Sequence, residues 1–298
     1  MKLLTILLFF LLNGICIDTS AQDDLLDLLQ DSTQNETESL ATFKGTRIIN
    51  GQSVQTVGGN NLDFLISHRF DRLNLGSYEL FGLDGALIRL GFEYGITNDI
   101  TLGVGRSSYF KTYDAFTKYR ILKQTTDNRL PFTVAAFVSI NARTQKLSPP
   151  AKLAGSEKLT YTAQLLLARR FTDAFSLQIS PTYLYRERPE PTTDNEGVFA
   201  IGAGARYKLT KQISLNGEYF YVLPDQINIL YTNMLAIGFD IETGGHVFQL
   251  QFTNSYGMTE RYFITETQDS WAEGDIHFGF NISRTFSFSK KPDTDKTW

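Results

Sequence analysis

The sequence has little of several things. It holds one cysteine, Cys16, in 298 residues, with two tryptophans, three methionines and three histidines. A disulfide framework and a cysteine-held metal centre are excluded on that count. Basic residues are not in excess: 28 Lys and Arg stand against 32 Asp and Glu, a formal net charge of −4. A nucleic acid partner, which needs a positive face to displace counterions, is not expected. After the N-terminal leader no apolar run reaches the length of about 18 residues that a membrane helix needs. Glycine follows no three-residue period and no heptads recur, while aromatics make up 13% of the chain. Collagen, coiled coil and disorder are excluded by that composition.

What is present begins with an export signal. Lys2 precedes an apolar stretch from Leu3 to Leu12, and Thr19-Ser20-Ala21 supplies small residues for cleavage before Gln22. Lipidation of Cys16 is not expected, because Ile15 stands where a lipoprotein signal carries a small residue. Cleavage leaves an exported chain with no thiol, large enough to bury a core without disulfides. The domain reading is a signal peptide over 1–21, an acidic leader over 22–43, a lead-in over 44–60, a barrel over 61–288 and a tail over 289–298. In the leader, Asp23-Asp24-Leu25-Leu26-Asp27-Leu28-Leu29 sets leucine pairs at helical spacing among acids. This reads either as a short amphipathic docking helix, marginal alone at that length, or as a disordered periplasmic tail.

From Asn61 onward the period is two, in segments of about ten residues. Phe132, Val134, Ala136, Val138 and Ile140 alternate with polar or small residues, as do Phe248, Leu250 and Phe252 with glutamines and threonine. Twelve such segments are predicted, from Asn61–Phe70 through Tyr231–Glu242 and His246–Tyr256 to Gly274–Ser287. Their polar faces carry Asp63, Arg69, Arg89, Glu93, Asp114, Lys118, Arg120, Arg206, Lys208, Glu218, Asp240 and Glu242, of mixed and nearly balanced sign. Short turns near 96–99, 172–174, 210–212 and 243–245 alternate with long polar loops near 71–85, 143–157, 187–196 and 257–273. Aromatics sort to the segment ends: Tyr94, Phe171, Phe175 and Tyr207 at one, Tyr113, Tyr161, Tyr183, Tyr219, Tyr221 and Tyr231 among those at the other. An all-β, antiparallel transmembrane β-barrel of about twelve strands with a short periplasmic leader accounts for these features together. Residues 44–57 could supply a thirteenth strand and are read instead as a periplasmic lead-in or a lumen-packed segment.

The run Phe43-Lys44-Gly45-Thr46-Arg47-Ile48-Ile49-Asn50-Gly51, with Phe64-Leu65-Ile66-Ser67-His68-Arg69-Phe70, Gly82-Leu83-Asp84-Gly85-Ala86 and Thr101-Leu102-Gly103-Val104-Gly105-Arg106-Ser107-Ser108, is similar to an uncharacterised outer-membrane β-barrel family of Gram-negative bacteria. The resemblance runs over nearly the whole mature chain, and its most specific motifs lie before Arg120. It implies a barrel in the outer membrane and brings neither an established activity nor catalytic residues. The closing Phe286-Ser287-Phe288 resembles the aromatic signal read by barrel-assembly machinery, although a charged tail follows it.

No motif for chemistry stands out. His68, His246 and His277 are isolated, without His-x-x-x-His or Glu-x-x-His spacing, so neither a metal nor another cofactor is expected. Gly103-Val104-Gly105 lies inside a strand, and alternate glycines there, as at Gly202 and Gly204, keep an inward face small. The inward charges are expected to form an ion-pair ladder rather than an acid–base pair. Three functions compete: a passive narrow channel for small polar solutes, a plugged scaffold docking a periplasmic protein through Leu25, Leu26, Leu28 and Leu29, and an outer-membrane lipase or protease assembled across strands. The expected partners are outer-membrane lipid, the assembly machinery and that periplasmic protein. Replacing the four leucines by serine is expected to abolish co-purification of a periplasmic partner; unchanged pull-downs rule out docking of that kind.

Overall fold

The computed structural model describes residues 41–146, 155–243 and 245–288. The expected signal peptide over 1–21, the leader leucines Leu25, Leu26, Leu28 and Leu29, and the expected tail over 289–298 lie outside the described residues. The chain divides into a unit of residues 1–38 and a unit of residues 39–298, and the architecture below belongs to the second.

Twelve strands follow in order: β1 (Asn61–Arg72), β2 (Ala86–Gly95), β3 (Ile100–Ser107), β4 (Thr112–Leu122), β5 (Thr133–Arg143), β6 (Leu159–Arg170), β7 (Phe175–Arg186), β8 (Gly197–Lys208), β9 (Ile213–Val222), β10 (Met234–Thr243), β11 (His246–Thr253) and β12 (His277–Ser287). Each pairs antiparallel with its chain neighbours, and β1 closes on β12 with Asn61 opposite Ser287 and His68 opposite Phe280. Closure leaves no unpaired strand edge, which is the condition for strands to cross a bilayer. An even count brings the start of β1 and the end of β12 to the same rim. Four of the five strand connections on that rim are short, whereas five of the six on the other are long, so it is the periplasmic one.

Side-chain polarity is inverted relative to a soluble sandwich. Leu90, Phe92, Leu102, Val104, Val138, Phe199, Ile201, Phe239 and Phe252 are exposed on the outside, whereas Ser67, Thr101, Thr162, Gln178, Asn216 and Gln251 are buried inside. Such a surface is stable only against hydrocarbon. Tyr94, Phe175 and Tyr207 are exposed toward one rim and Tyr113, Tyr183 and Tyr221 toward the other. Tyr231 does not join the outer group: its hydroxyl donates to the Glu190 carbonyl in the outer loops. Strand β10 therefore begins at Met234 rather than Tyr231. Thr232 and Asn233 are held by loop contacts instead, Thr232 Oγ1 donating to Asp269 O at 2.6 Å and Asn233 Oδ1 accepting from Val222 N at 3.0 Å. Strand β11 stops at Thr253 rather than Tyr256 because Asn254 turns its amide onto Asn233 O and Asp269 O and directs the chain inward.

The interior is filled by two segments. The lead-in enters the lumen and makes a tight turn, with Ile48 N donating to Gly51 O at 2.9 Å and Ser53 N to Thr46 O at 2.9 Å. Its Ile48, Ile49 and Val54 join one apolar cluster with Phe116, Phe137, Leu166, Phe220 and Met234 from the wall. From the opposite rim the long connection between β11 and β12 folds in and carries a six-residue helix, α1 (Glu260–Thr265), every residue of which is buried. Its Phe263 and Ile264 belong to the same cluster.

Small wall positions make room for these segments. A Cβ on Gly204 would fall on Ile48 Cδ1, and one on Gly51 of the lead-in would fall on the Glu218 carboxylate and within 3.0 Å of the Phe220 ring. Gly51→Val is therefore expected to push the lead-in out of its seat at a cost of about 1–3 kcal/mol. Limited proteolysis of the folded barrel should then cut within residues 44–57, where the wild-type chain resists.

Candidate functional site

Strand alternation places all twelve sequence-selected residues on the inward side of the register. Arg69, Arg89, Glu93, Asp114, Lys118, Arg206, Glu218 and Asp240 are buried, whereas Asp63, Arg120, Lys208 and Glu242 sit half-buried toward the periplasmic rim. They do not form the expected wall-to-wall ladder. Arg89 does reach a neighbouring strand, its Nε donating to Asp114 Oδ1 at 2.9 Å, and Arg120 Nε donates to Asp99 Oδ1 at the rim at 2.9 Å. Asp63 Oδ1 accepts from Thr285 Oγ1, and Asp240 Oδ1 from Gln249 Nε2 at 2.8 Å.

Most of the others hold the lead-in. Lys118 Nζ donates to the carbonyls of Thr46 at 2.8 Å and Gln55 at 2.9 Å. Glu218 accepts from the backbone N–H of Asn50 at 2.8 Å and of Gly51 at 2.7 Å. Arg69 Nη2 donates to Asn50 Oδ1 at 2.7 Å, Arg206 Nη1 donates to Thr42 O at 3.4 Å, and Glu242 pairs with Lys44. The physical reason is local: backbone without sheet partners inside a closed barrel must find donors and acceptors on the wall, since leaving them unpaired is expensive.

Uncharged wall residues contribute as much and were absent from the sequence-based selection. Gln178 accepts from Val54 N at 2.9 Å and donates to Gln52 O at 2.7 Å. Gln249 Nε2 donates to Ile48 O at 2.9 Å, Asn281 Nδ2 to Ile49 O at 3.0 Å, and Thr101 Oγ1 accepts from Val57 N at 2.9 Å. Strand alternation marks these positions as inward; charge, used as the criterion, does not.

The inward loop is fastened differently, by its own side chains. Arg261 donates to Glu266 Oε1 at 2.8 Å, to Thr160 Oγ1 on β6 at 3.1 Å and to Arg188 O at 3.2 Å. The Tyr262 hydroxyl lies 3.0 Å from Thr112 Oγ1, and its ring packs on Tyr109. His277, buried at the foot of the loop, meets Asp269 Oδ2 at 2.9 Å through Nε2 and Phe70 O at 2.8 Å through Nδ1. The two inserted segments meet at Arg47, whose guanidinium lies 3.8 Å from Glu93 on β2 and 3.9 Å from Glu260 on α1.

Burial pushes the Glu260 carboxyl above its ordinary range, with Arg47 opposing the rise and Asp114 adding to it. Burial raises Glu266 in the same way against the pull of Arg261. An acid whose pKa is raised in the packed state binds a proton more readily there than when released, so lowering the pH favours the inward position and raising it works against it. Amide exchange across 258–267, corrected for intrinsic rates, is expected to slow as pH falls from about 8 to about 5, the interval above the ordinary carboxylate value. Glu260→Gln should flatten that dependence, and equal protection at both pH values would contradict it.

Residues 43–286 match the family described as a membrane bound beta barrel domain, DUF5777. No curated protein matches the chain in sequence. Among solved structures, the NanC porin is similar at 12% identity over 77% of this chain and 100% of its own, with a TM-score of 0.47. The COG4313 outer membrane channel from Pseudomonas putida F1 is 12% identical over 86% of this chain and 100% of its own, with a TM-score of 0.45. Outer membrane phospholipase A from Escherichia coli is 13% identical over 81% of this chain and 98% of its own, with a TM-score of 0.42. Likenesses at these identities and scores carry no functional argument.

Proposed function

This chain belongs to the DUF5777 family of membrane bound beta barrel domains, and we propose that it is a channel for small polar solutes in the outer membrane, closed at rest by residues 42–57. The observation that carries this reading is the way the wall is spent. Lys118, Gln178, Glu218, Gln249 and Asn281 all direct their hydrogen bonds at the backbone of one continuous segment. Groups of that kind are satisfied equally by water. Withdrawal of the segment toward the periplasm would leave a hydrated, polar wall with charges of both signs and no single focused field, suited to neutral or weakly charged solutes. A pore open at all times, the simplest form of a passive channel, does not fit a lumen packed this way.

The same filled lumen favours a second reading, a plugged scaffold whose leader docks a periplasmic protein. A hydrolase has less support. Both ring nitrogens of His277 are engaged by Phe70 O and Asp269, leaving none to activate a hydroxyl. His68 stacks on Phe280 on the outer face. Among the described residues no serine hydroxyl is hydrogen-bonded to a histidine.

Planar-bilayer recording separates the two main readings. The mature chain from Gln22 is expected to be silent or to open briefly, and a chain lacking residues 22–57 to give steady steps. Silence in both, with the protein folded and inserted, would overturn the channel and leave the scaffold.

A further inference from the structure

The lipid-facing wall is not an even apolar band. Along β4 the outward residues Ala115 and Thr117 are small and half-buried, whereas Leu102 and Val104 on β3 and Val138 and Ile140 on β5 stand exposed to either side. The register sets Ala115 between Val104 and Ile140, and Thr117 between Leu102 and Val138. The result is a groove of about 470 Å³, floored by β4 and walled by its two neighbours. It opens on the face that meets hydrocarbon, so its occupant in a membrane is an acyl chain rather than water.

A single charge stands at the outer end of this groove. Arg106, the next outward residue of β3 after Val104, is exposed and directly opposite Tyr113 on β4. Two residues along a strand span about 7 Å, so it lies just beyond the groove toward the outer loops. Its guanidinium sits over the Tyr113 ring, 5.6 Å from the centroid. No acid shares this face: the outward residues nearest to Arg106 on β2, β4 and β5 are Ile88, Leu90, Tyr113 and Ala142. Among the described residues the guanidinium has no ion-pair partner. An arginine on the lipid side of a barrel is stable where its stem lies along apolar surface and its head reaches the interface. There its planar donors match a phosphate with paired, charge-assisted bonds. Apolar groove below and unpaired cation above repeat the order of chain and headgroup in a lipid of the outer leaflet.

We propose that the β3–β5 groove and Arg106 together hold one phosphorylated, multiply acylated lipid of the outer leaflet, of the chemistry of lipid A. No lumen residue takes part, so silence in planar bilayers leaves this site standing, and its loss leaves the channel standing. The full mature chain is folded into detergent micelles and titrated with diphosphoryl lipid A, and bound lipid is counted on the intact protein by native mass spectrometry. Saturation at one lipid A per chain is expected, at least about tenfold tighter than phosphatidylethanolamine, a factor of ten in the dissociation constant. Arg106→Gln should remove most of that preference and Arg106→Lys, which keeps the charge, should recover part of it. Ala115→Phe, which fills the groove floor, should weaken lipid A by a similar factor, with the folded barrel verified by its mobility on unheated gels. Should that variant not fold, Thr117→Leu fills the same floor one row lower and is read in its place. Lipid A bound equally by wild type, Arg106→Gln and the groove variant, or bound without saturation, would overturn the site. Phosphatidylglycerol bound as tightly as lipid A would overturn the assignment to the outer-leaflet lipid and make the groove a general anionic phospholipid site.

Discussion

Inside this barrel, Glu218 reaches across from β9 to take the backbone N–H groups of Asn50 and Gly51, and Lys118 from β4 returns two donors to the carbonyls of Thr46 and Gln55. The rest of the interior depends on that exchange. A closed sheet in lipid satisfies its own backbone completely, so its inward side chains have only one another, water or an inserted segment to bond. Here an inserted segment supplies unpaired peptide groups, and the wall supplies the matching acceptors and donors. The lead-in is thus held by a lattice of polar bonds around a small apolar centre, an arrangement that fixes one register without requiring the large apolar burial of a soluble core.

The second filler uses a different balance. Helix α1 is too short to be stable alone and is kept in place by Arg261, Tyr262 and Phe263, each engaging a different neighbour: β6, the Thr112 region and Phe220. Between the two fillers stand Arg47 and Glu260, at a distance longer than a hydrogen bond. Gly51 packs against Phe220, and Phe220 against Phe263. The lumen is therefore one connected body in which periplasmic and outer segments share wall residues, so movement of either alters the packing of the other.

Much of the wall was legible in the sequence because a strand converts alternation directly into inside and outside. The twelve charged positions, Asp63 and Arg69 through Asp240 and Glu242, all took the inward parity that their polar spacing implies. Strand ends were less legible: Tyr231 and Tyr256 continue the apolar alternation yet belong to loops, because Glu190 O and the turn at Asn254 compete for that chain. The charged residues' partners were not legible at all. An ion-pair ladder is the economical expectation for balanced charge on a wall, and it fails because residues 42–57 bring a full set of backbone groups into the same space.

Sequence by itself determined the closed antiparallel barrel of about twelve strands, since it follows from a local period of two. Only the tertiary structure decided that the lumen is filled, that the lead-in and α1 do the filling, and that Gln178, Gln249 and Asn281 count as much as the charges. The reason is physical. Residues 42–57 and 254–276 have no regular period of their own; their conformation is set by whichever donors and acceptors the surrounding wall presents. Those donors and acceptors come from strands far apart in the chain and become neighbours only when β1 closes on β12.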